Sequence, residues 1–179
     1  MSLLQSLAEN LGFLATSQTT TYPLVAEDVA GWMDHDELEF LRCVASAANS
    51  IVEIGSWKGR STFALAQECD GTVYAVDIWK NKHILEEFKR NVGRFGNIVI
   101  CQMDSQYAAT QLPNVDVTFI DGGHDYLTVV GDIMAWKSKT RMVLCGHDYN
   151  QSGVRKAVLD TLRDVKQGPG KIWFTENLV

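Results

Sequence analysis

Short apolar runs alternate with amphipathic segments along most of the chain. Five such runs follow residue 49, and in chain order they are SIVEI, TVYAVD, NIVIC, VDVTFID and RMVLCG. Each is apolar over most of its length rather than at every second position, which is typical of strands in a parallel sheet that is covered on both faces. Because segments with helical periodicity separate the runs, the pattern predicts βαβ units and a doubly wound, mostly parallel α/β sheet.

The segments around these strands predict the helices. Asp34 is followed three residues later by Glu37, a capping-box pattern that predicts a helix over residues 34–48. The helices between the strands are expected over residues 61–68, 80–92, 105–111 and 126–137. At the C-terminal end, GVRKAVLDTLRDV predicts a further helix and KIWFTE predicts a last strand.

The first 33 residues are predicted as a separate unit. Leucines recur there at helical spacing, namely Leu4, Leu7, Leu11 and Leu14. A polar loop follows them and ends at Tyr22 and Pro23. We expect this helix and loop, residues 1–33, to act as a lid or as a dimer contact; the alternative is a helix that only packs on the sheet or on a second subunit. Residues 34–179 are expected to form the ligand-binding domain.

Composition and charge narrow the classes of partner. The chain of 179 residues has a net charge of −6 and no long basic run, so we expect no broad nucleic-acid-binding surface. No segment is apolar enough to span a bilayer, and the N-terminus lacks the basic start of a signal peptide. The four cysteines form no CxxC pair, which favours a reducing compartment. We therefore expect a cytoplasmic protein that binds neither membranes nor nucleic acid.

The loop EIGSWKGRST after the first predicted strand carries two glycines. Gly55 and Gly59 are four positions apart, but Trp57 and Arg60 stand where a dinucleotide-binding GxGxxG sequence has its other glycines. The next strand ends in Asp77, and an acid at that place can accept hydrogen bonds from both hydroxyls of a ribose. Together these features favour a nucleoside-binding site; the alternative is a tight turn followed by a solvated aspartate.

The segment FIDGGHDY places an acid and a histidine at the end of the fourth strand. Asp121 ends the strand, two glycines let the backbone approach a ligand, and His124 stands before the next helix. A histidine there can accept a proton near neutral pH, so Asp121 and His124 are the candidate catalytic residues, with His124 as the base. The alternative is that His124 caps the helix or orients a ligand.

The segment LCGHDYN after the fifth strand adds a second acid and an amide. Asp148 is close to Asp121 if the fourth and fifth strands are neighbours in the sheet. Two carboxylates and an amide oxygen suit a hard divalent cation such as Mg²⁺, so Asp121, Asp148 and Asn150 are the candidate metal ligands. The alternative is that Asp148 only caps the next helix.

Five motifs at consecutive strand ends give the chain a family resemblance. EIGSWKGRST, VYAVDIW, QMDSQ, FIDGGHDY and the stretch from LCGHDY to GVRKAV resemble the motifs of class I S-adenosylmethionine-dependent methyltransferases. The resemblance is greatest to the small single-domain group related to macrocin O-methyltransferase and the cephalosporin-hydroxylase-like domains, and it covers about residue 34 to the C-terminus. It implies a Rossmann-like methyltransferase fold and S-adenosyl-L-methionine as the cofactor.

At matching positions, the resemblance also implies which residues contact the cofactor. Asp77 would hold the ribose, and Ile78 would lie against the adenine. Asp104 and Ser105 would face the adenine amino group, and Asp121 would border the methionine and the reaction side. The glycine loop would line the methionine portion, and the whole expected set is Glu53, Gly55, Ser56, Trp57, Gly59, Ser61, Asp77, Ile78, Asp104, Ser105 and Asp121.

Trp57 adds a likeness to the metal-dependent catechol-type O-methyltransferases, which have an aromatic residue at the same place in the loop. In that group a lysine base follows the first metal ligand by three residues, and His124 takes its place here. The chain differs from the family pattern at the C-terminal edge of the sheet. The family usually has two strands there, whereas VKQGPGKIWFTENLV has room for one clear strand. We therefore expect O-methylation of a small hydroxylated acceptor on a sheet shortened at this edge, with metal assistance left open.

Two other functions stay open on the sequence alone. The first is a non-catalytic module that binds S-adenosylmethionine, because the chain is small and its C-terminal edge is short. The second is a nicotinamide-dependent oxidoreductase, which the missing GxGxxG sequence disfavours.

Overall fold

A seven-stranded sheet forms the centre of the part of the chain that the computed structural model describes, residues 22–178. The strands are β1 (Ser50–Ile54), β2 (Thr72–Asp77), β3 (Ile98–Gln102), β4 (Val115–Ile120), β5 (Thr140–Gly146), β6 (Lys166–Gln167) and β7 (Trp173–Thr175). Their order is β3-β2-β1-β4-β5-β7-β6; the pairs from β3 to β5 are parallel, and β7 is antiparallel to both of its neighbours. The predicted doubly wound, mostly parallel sheet is confirmed.

Helices cover both faces of this sheet. They are α1 (His35–Ser46), α2 (Arg60–Glu68), α3 (Lys82–Val92), α4 (Ser105–Gln111), α5 (Tyr126–Trp136) and α6 (Ser152–Thr161). Leu38 of α1 and Phe63 of α2 share one buried core with Ile51 of β1. The adjacent Val52 belongs to a second core with Ile133 of α5. Successive strand residues point to opposite faces, so the two cores lie on opposite sides of the sheet.

The C-terminal edge of the sheet is short, as predicted. β6 has two residues and β7 has three. The sequence predicts a helix up to residue 165, but α6 ends at Thr161. The chain leaves the helix early because Lys166 pairs with Phe174 of β7, a partner that helical periodicity alone does not indicate.

The predicted N-terminal helix with its four leucines lies outside the described residues. The described chain begins at Tyr22 and forms a short 3₁₀ helix, Ala26–Asp28, before α1. Within residues 22–178, no helix is long and apolar enough to cross a membrane. The four cysteines are free; Cys69, Cys101 and Cys145 are buried and Cys43 is exposed.

Candidate active site

A cavity of about 680 Å³ opens at the carboxyl ends of the parallel strands. It lies where the strand order reverses between β1 and β4, the place at which doubly wound sheets bind their ligands. Most of the predicted site residues line it, and they are Gly55, Ser56, Trp57, Ser61, Asp77, Ile78, Asp104, Ser105, Asp121, His124 and Asp148. Residues from five different strand ends therefore meet at one cavity, as the strand-end rule predicts.

Three predicted site residues do not line the cavity. Glu53 is fully buried on β1, where it accepts a hydrogen bond from the Thr62 hydroxyl and where burial raises its pKa. Gly59 is the N-cap of α2, and a Cβ there would meet Phe88 rather than the cavity. Asn150 is exposed in the turn after Asp148. None of these three residues lines the cavity, so the cofactor contacts expected of Glu53 and Gly59 and the metal contact expected of Asn150 stay predictions.

The glycine loop is fixed against two strand ends. Gly55 has a φ of 91°, and a Cβ there would lie 2.7 Å from the Cα of Gly122 and still closer to the carbonyl oxygen of Asp121. Only glycine combines this backbone conformation with such a close approach. The loop therefore places its backbone directly against the end of β4, on one side of the cavity.

Asp77 ties this loop to the end of β2. Its Oδ2 accepts a hydrogen bond from the Trp57 N–H, and its Oδ1 accepts one from the Trp79 N–H, both at 2.9 Å. The Trp79 indole also donates to the carbonyl of Trp57, at 2.8 Å. Because each carboxylate oxygen can accept two hydrogen bonds, Asp77 keeps acceptor capacity for the hydroxyls of a ligand in the cavity.

The mouth of the cavity is formed by a segment that Arg60 holds in place. Its guanidinium donates to the carbonyls of Val29, at 2.7 Å, and Met33, at 2.9 Å. Between them, Trp32 is 74% exposed and stacks on Trp57 with a centroid distance of 4.5 Å. In the sequence, Arg60 is noticeable only because it stands where a GxGxxG motif has a glycine. Its structural role could not be predicted, because its partners are backbone carbonyl groups, which a pattern of side chains does not indicate.

A cluster of two acids and a histidine lies at the ends of β4 and β5. The potential ligand atoms of Asp121, His124 and Asp148 all lie within 4.8 Å of one another, and His124 Nε2 is 2.9 Å from Asp148 Oδ2. β4 and β5 are neighbours, as the expected pairing of the two acids requires. Two carboxylates and an imidazole can bind a divalent cation, so the donor set fits a metal, with His124 in place of Asn150.

His147 lies beneath this cluster and was given no role by sequence reasoning. Its Nδ1 is 3.5 Å from both Asp121 Oδ1 and Asp148 Oδ2, and its Nε2 is 3.1 Å from Glu37 Oε1. Burial by itself would lower the pKa of His147, but contact with the three carboxylates raises it to about 9. Burial raises the pKa of Asp121, and His147 opposes that shift. A buried imidazolium therefore offsets part of the negative charge of the two acids.

Comparison with known proteins places the chain in one family. A family model described as a methyltransferase domain matches residues 52–149, more than half of the chain. No curated protein sequence matches the chain.

Solved structures share the fold. An O-methyltransferase from Bacillus cereus, in complex with SAH, is 18% identical and has a TM-score of 0.66; the match covers 95% of this chain and 94% of that one. The O-methyltransferase TomG from Streptomyces achromogenes, in complex with SAM, is 16% identical with a TM-score of 0.62, covering 80% and 79%. Precorrin 8W decarboxylase from Methanobacterium thermoautotrophicum is 17% identical with a TM-score of 0.66, covering 85% and 95%.

Proposed function

The chain belongs to the methyltransferase-domain family, and from this premise we propose that it transfers the methyl group of S-adenosylmethionine to a hydroxyl of a small molecule. The observation that carries the proposal is the position of Asp77 and the acid–histidine cluster on walls of one cavity. The first suits a ribose, and the second suits the activation of a hydroxyl. The B. cereus and S. achromogenes proteins, which have this fold, were crystallised with SAH and SAM.

The cofactor is proposed to lie along the ends of β1 and β2. Asp77 accepts the ribose hydroxyls, and the half-exposed Ile78 offers an apolar surface to the adenine. Gly55, Ser56 and Trp57, which line the cavity, face the methionine portion. This arrangement directs the methyl group towards the side of the cavity that contains Asp121.

Chemistry at this site has two requirements. The sulfonium of the cofactor already makes its methyl group electrophilic, so the protein must align the acceptor and remove its proton. His124 is the proposed base. When Nε2–H donates to Asp148 at 2.9 Å, the other ring nitrogen, Nδ1, is left to accept the proton. Asp148 is then the residue that orients the base.

Metal assistance is the second form of this proposal. Asp121, Asp148 and His124 would hold a divalent cation, which when bound lowers the pKa of an acceptor hydroxyl. An imidazole that ligates a cation through its one lone pair is not available as a base. The two forms therefore assign His124 different roles and can be separated by experiment.

Removal of divalent metal distinguishes these forms. In the metal-assisted form, we expect dialysis against EDTA to lower methyl transfer to a panel of phenols and sugars at least about tenfold, and Mg²⁺ or Mn²⁺ to restore it. Asp148→Ala is expected to lose activity in both forms, whereas Asp70→Ala changes an exposed acid before β2 and serves as the control. Full activity after EDTA treatment would leave His124 as the base; full activity of Asp148→Ala as well would overturn both forms.

Replacement of Asp77 tests the cofactor assignment. We expect Asp77→Ala to weaken the binding of S-adenosylhomocysteine about 10- to 100-fold, because hydrogen bonds to a charged group contribute about 1.5–3 kcal/mol. Titration calorimetry gives the dissociation constant. Asp77→Asn keeps one acceptor oxygen, so its dissociation constant is expected to lie between those of the wild type and Asp77→Ala. Thermal unfolding checks that loss of the bonds to Trp57 and Trp79 leaves the fold intact. Wild-type protein that binds NAD and not S-adenosylhomocysteine would refute the proposed function.

The acceptor is proposed to enter past the segment held by Arg60. Trp32 and Met33 line the mouth there, and Trp32 offers a flat, exposed apolar surface. Residues 1–33 are therefore proposed as a lid, or as a dimer contact that closes the same opening, and residues 34–179 as the methyltransferase domain. A small acceptor with an apolar face fits this mouth.

A further inference from the structure

One acid in the cavity wall has no part in the chemistry described above. Asp132 belongs to α5, lines the cavity and is only 3% exposed. Among residues 22–178, no lysine, arginine or histidine forms an ion pair with it, and its hydrogen-bonding partner is the Ser105 hydroxyl. A carboxylate that is buried without a cation is costly unless another group donates hydrogen bonds to it.

The surroundings of Asp132 make it a strong acceptor rather than a paired charge. Its pKa is raised to about 6, chiefly by burial and to a smaller extent by the nearby carboxylates of Asp104 and Asp125, while the hydrogen bond of Ser105 opposes the shift. At neutral pH the group is therefore mostly ionised, buried and surrounded by other acids. A ligand N–H that reached it would supply the missing donor.

Asp132 lies at the corner of the cavity where the base of a nucleoside is expected. Its neighbour Ser105 follows β3, and a Cβ at Gly122, after β4, would be 3.9 Å from Asp132 Oδ2. Gly122 has no side chain, so it does not cover the carboxylate from this side. Ile78 follows β2, the neighbour of β3 in the sheet, and it lines the same cavity as Ser105 and Asp132.

Asp104 is less suited to the same task. It is exposed, and its Oδ1 already caps α4 by accepting the N–H groups of Gln106, at 2.9 Å, and Tyr107, at 3.2 Å. Water competes for an exposed carboxylate, so a ligand N–H gains less there than at a buried one. The sequence pattern indicated Asp104 because it follows a strand, whereas Asp132 lies inside a helix.

We propose that the buried carboxylate of Asp132 accepts a hydrogen bond from the exocyclic amino group of the cofactor's adenine and thereby selects adenine over hypoxanthine. This inference rests on the proposed function, because it assumes that S-adenosylmethionine occupies the cavity. Hypoxanthine carries a carbonyl oxygen where adenine carries the amino group. A carboxylate that faces this oxygen meets a second acceptor and stays unpaired.

The test compares the binding of S-adenosylhomocysteine with that of its deaminated analogue, S-inosylhomocysteine, by titration calorimetry. We expect the wild type to prefer the adenine form about 10- to 100-fold, as is typical of a buried polar group left without its partner. In Asp132→Asn the amide can rotate to accept from an amino group or to donate to a carbonyl. The preference is therefore expected to fall to within about threefold.

Two further variants make the outcome unambiguous. Asp132→Ser removes the carboxylate altogether and is also expected to lose the preference, while Asp70→Asn, an exposed acid before β2, keeps it. Asp132→Asn keeps the side-chain shape and removes an unpaired charge, so its thermal midpoint is expected to be no lower than that of the wild type. An unchanged preference in folded Asp132→Asn, or no preference in the wild type, would overturn this inference alone. Failure of the wild type to bind S-adenosylhomocysteine would instead refute the proposed function.

Discussion

Gly55→Ala is expected to lower the free energy of unfolding by about 3 kcal/mol or more and to abolish the binding of S-adenosylhomocysteine. Gly55 has a φ of 91°, a conformation that is strained for any residue with a Cβ. The new methyl group would also lie 2.7 Å from the Cα of Gly122 and closer still to the Asp121 carbonyl oxygen. Both obstacles are backbone atoms, so neither can rotate aside. The loop and the end of β4 would have to separate, which opens the cofactor site.

Urea denaturation measures the stability change, and Gly96→Ala is the matched control. A Cβ at Gly96 meets no heavy atom within 4 Å, and Gly96 is not among the residues with positive φ. Its replacement is therefore expected to change the free energy of unfolding by no more than about 0.5 kcal/mol. Equal free energies of unfolding for Gly55→Ala and Gly96→Ala would show that the close approach of the glycine loop to the end of β4 does not stabilise the fold.

Glu37→Ala is expected to cost about 3–5 kcal/mol of stability, the range for removal of one partner from a buried charge pair. Glu37 is 1% exposed, and its Oε1 accepts the Lys171 N–H at 2.7 Å and lies 3.1 Å from His147 Nε2. Its Oε2 accepts the Asp34 N–H at 2.9 Å, which closes the capping box of α1. Alanine leaves two backbone N–H groups without this partner and an imidazolium with one carboxylate fewer.

Glu39→Ala provides the comparison on the same helix. Glu39 is exposed and pairs with Arg42 at the surface, where an ion pair contributes about 0–1 kcal/mol. Both variants are measured by urea denaturation at neutral pH, where His147 carries its proton. Glu37→Gln, which keeps the size of the side chain, is expected to lose less than Glu37→Ala. Equal losses for Glu37→Ala and Glu39→Ala would show that the buried contact with His147 does not stabilise the fold.

The sheet could be predicted because its pattern is local. The bounds of β1 and β2 agree with the predicted runs SIVEI and TVYAVD, since a strand covered on both faces is apolar along its length. The C-terminal end of α6 could not be predicted in the same way. There the helical pattern continues to residue 165, but pairing of Lys166 with Phe174 ends the helix at Thr161.

The candidate site was predictable to the extent that it follows strand ends. Asp77, Asp121 and Asp148 meet because parallel strands present their carboxyl ends at one edge. Sequence position does not give the direction of a side chain within a turn, and Asn150, two residues after Asp148, is exposed and does not line the cavity.

Two charged residues of this site were not predicted, for different reasons. His147 acquires its role from Glu37, which is 110 positions away and meets it only in the folded chain. Asp132 had a local signal that went unused, an acid in the otherwise apolar stretch VVGDIMAW. A charge on the buried face of a helix requires a partner, so it indicates a ligand when the protein supplies no cation.

Arg60 connects two parts of the cavity that are distant in sequence. Its backbone begins α2, directly after the glycine loop, and its guanidinium binds the carbonyls of Val29 and Met33 on either side of Trp32. We therefore expect a ligand that shifts the loop to shift the mouth as well. Coupling of this kind is reciprocal, so the affinity for the cofactor is then expected to depend on whether the acceptor is bound, and the affinity for the acceptor on the cofactor. A binding constant measured with either ligand alone would then differ from the one that applies during turnover.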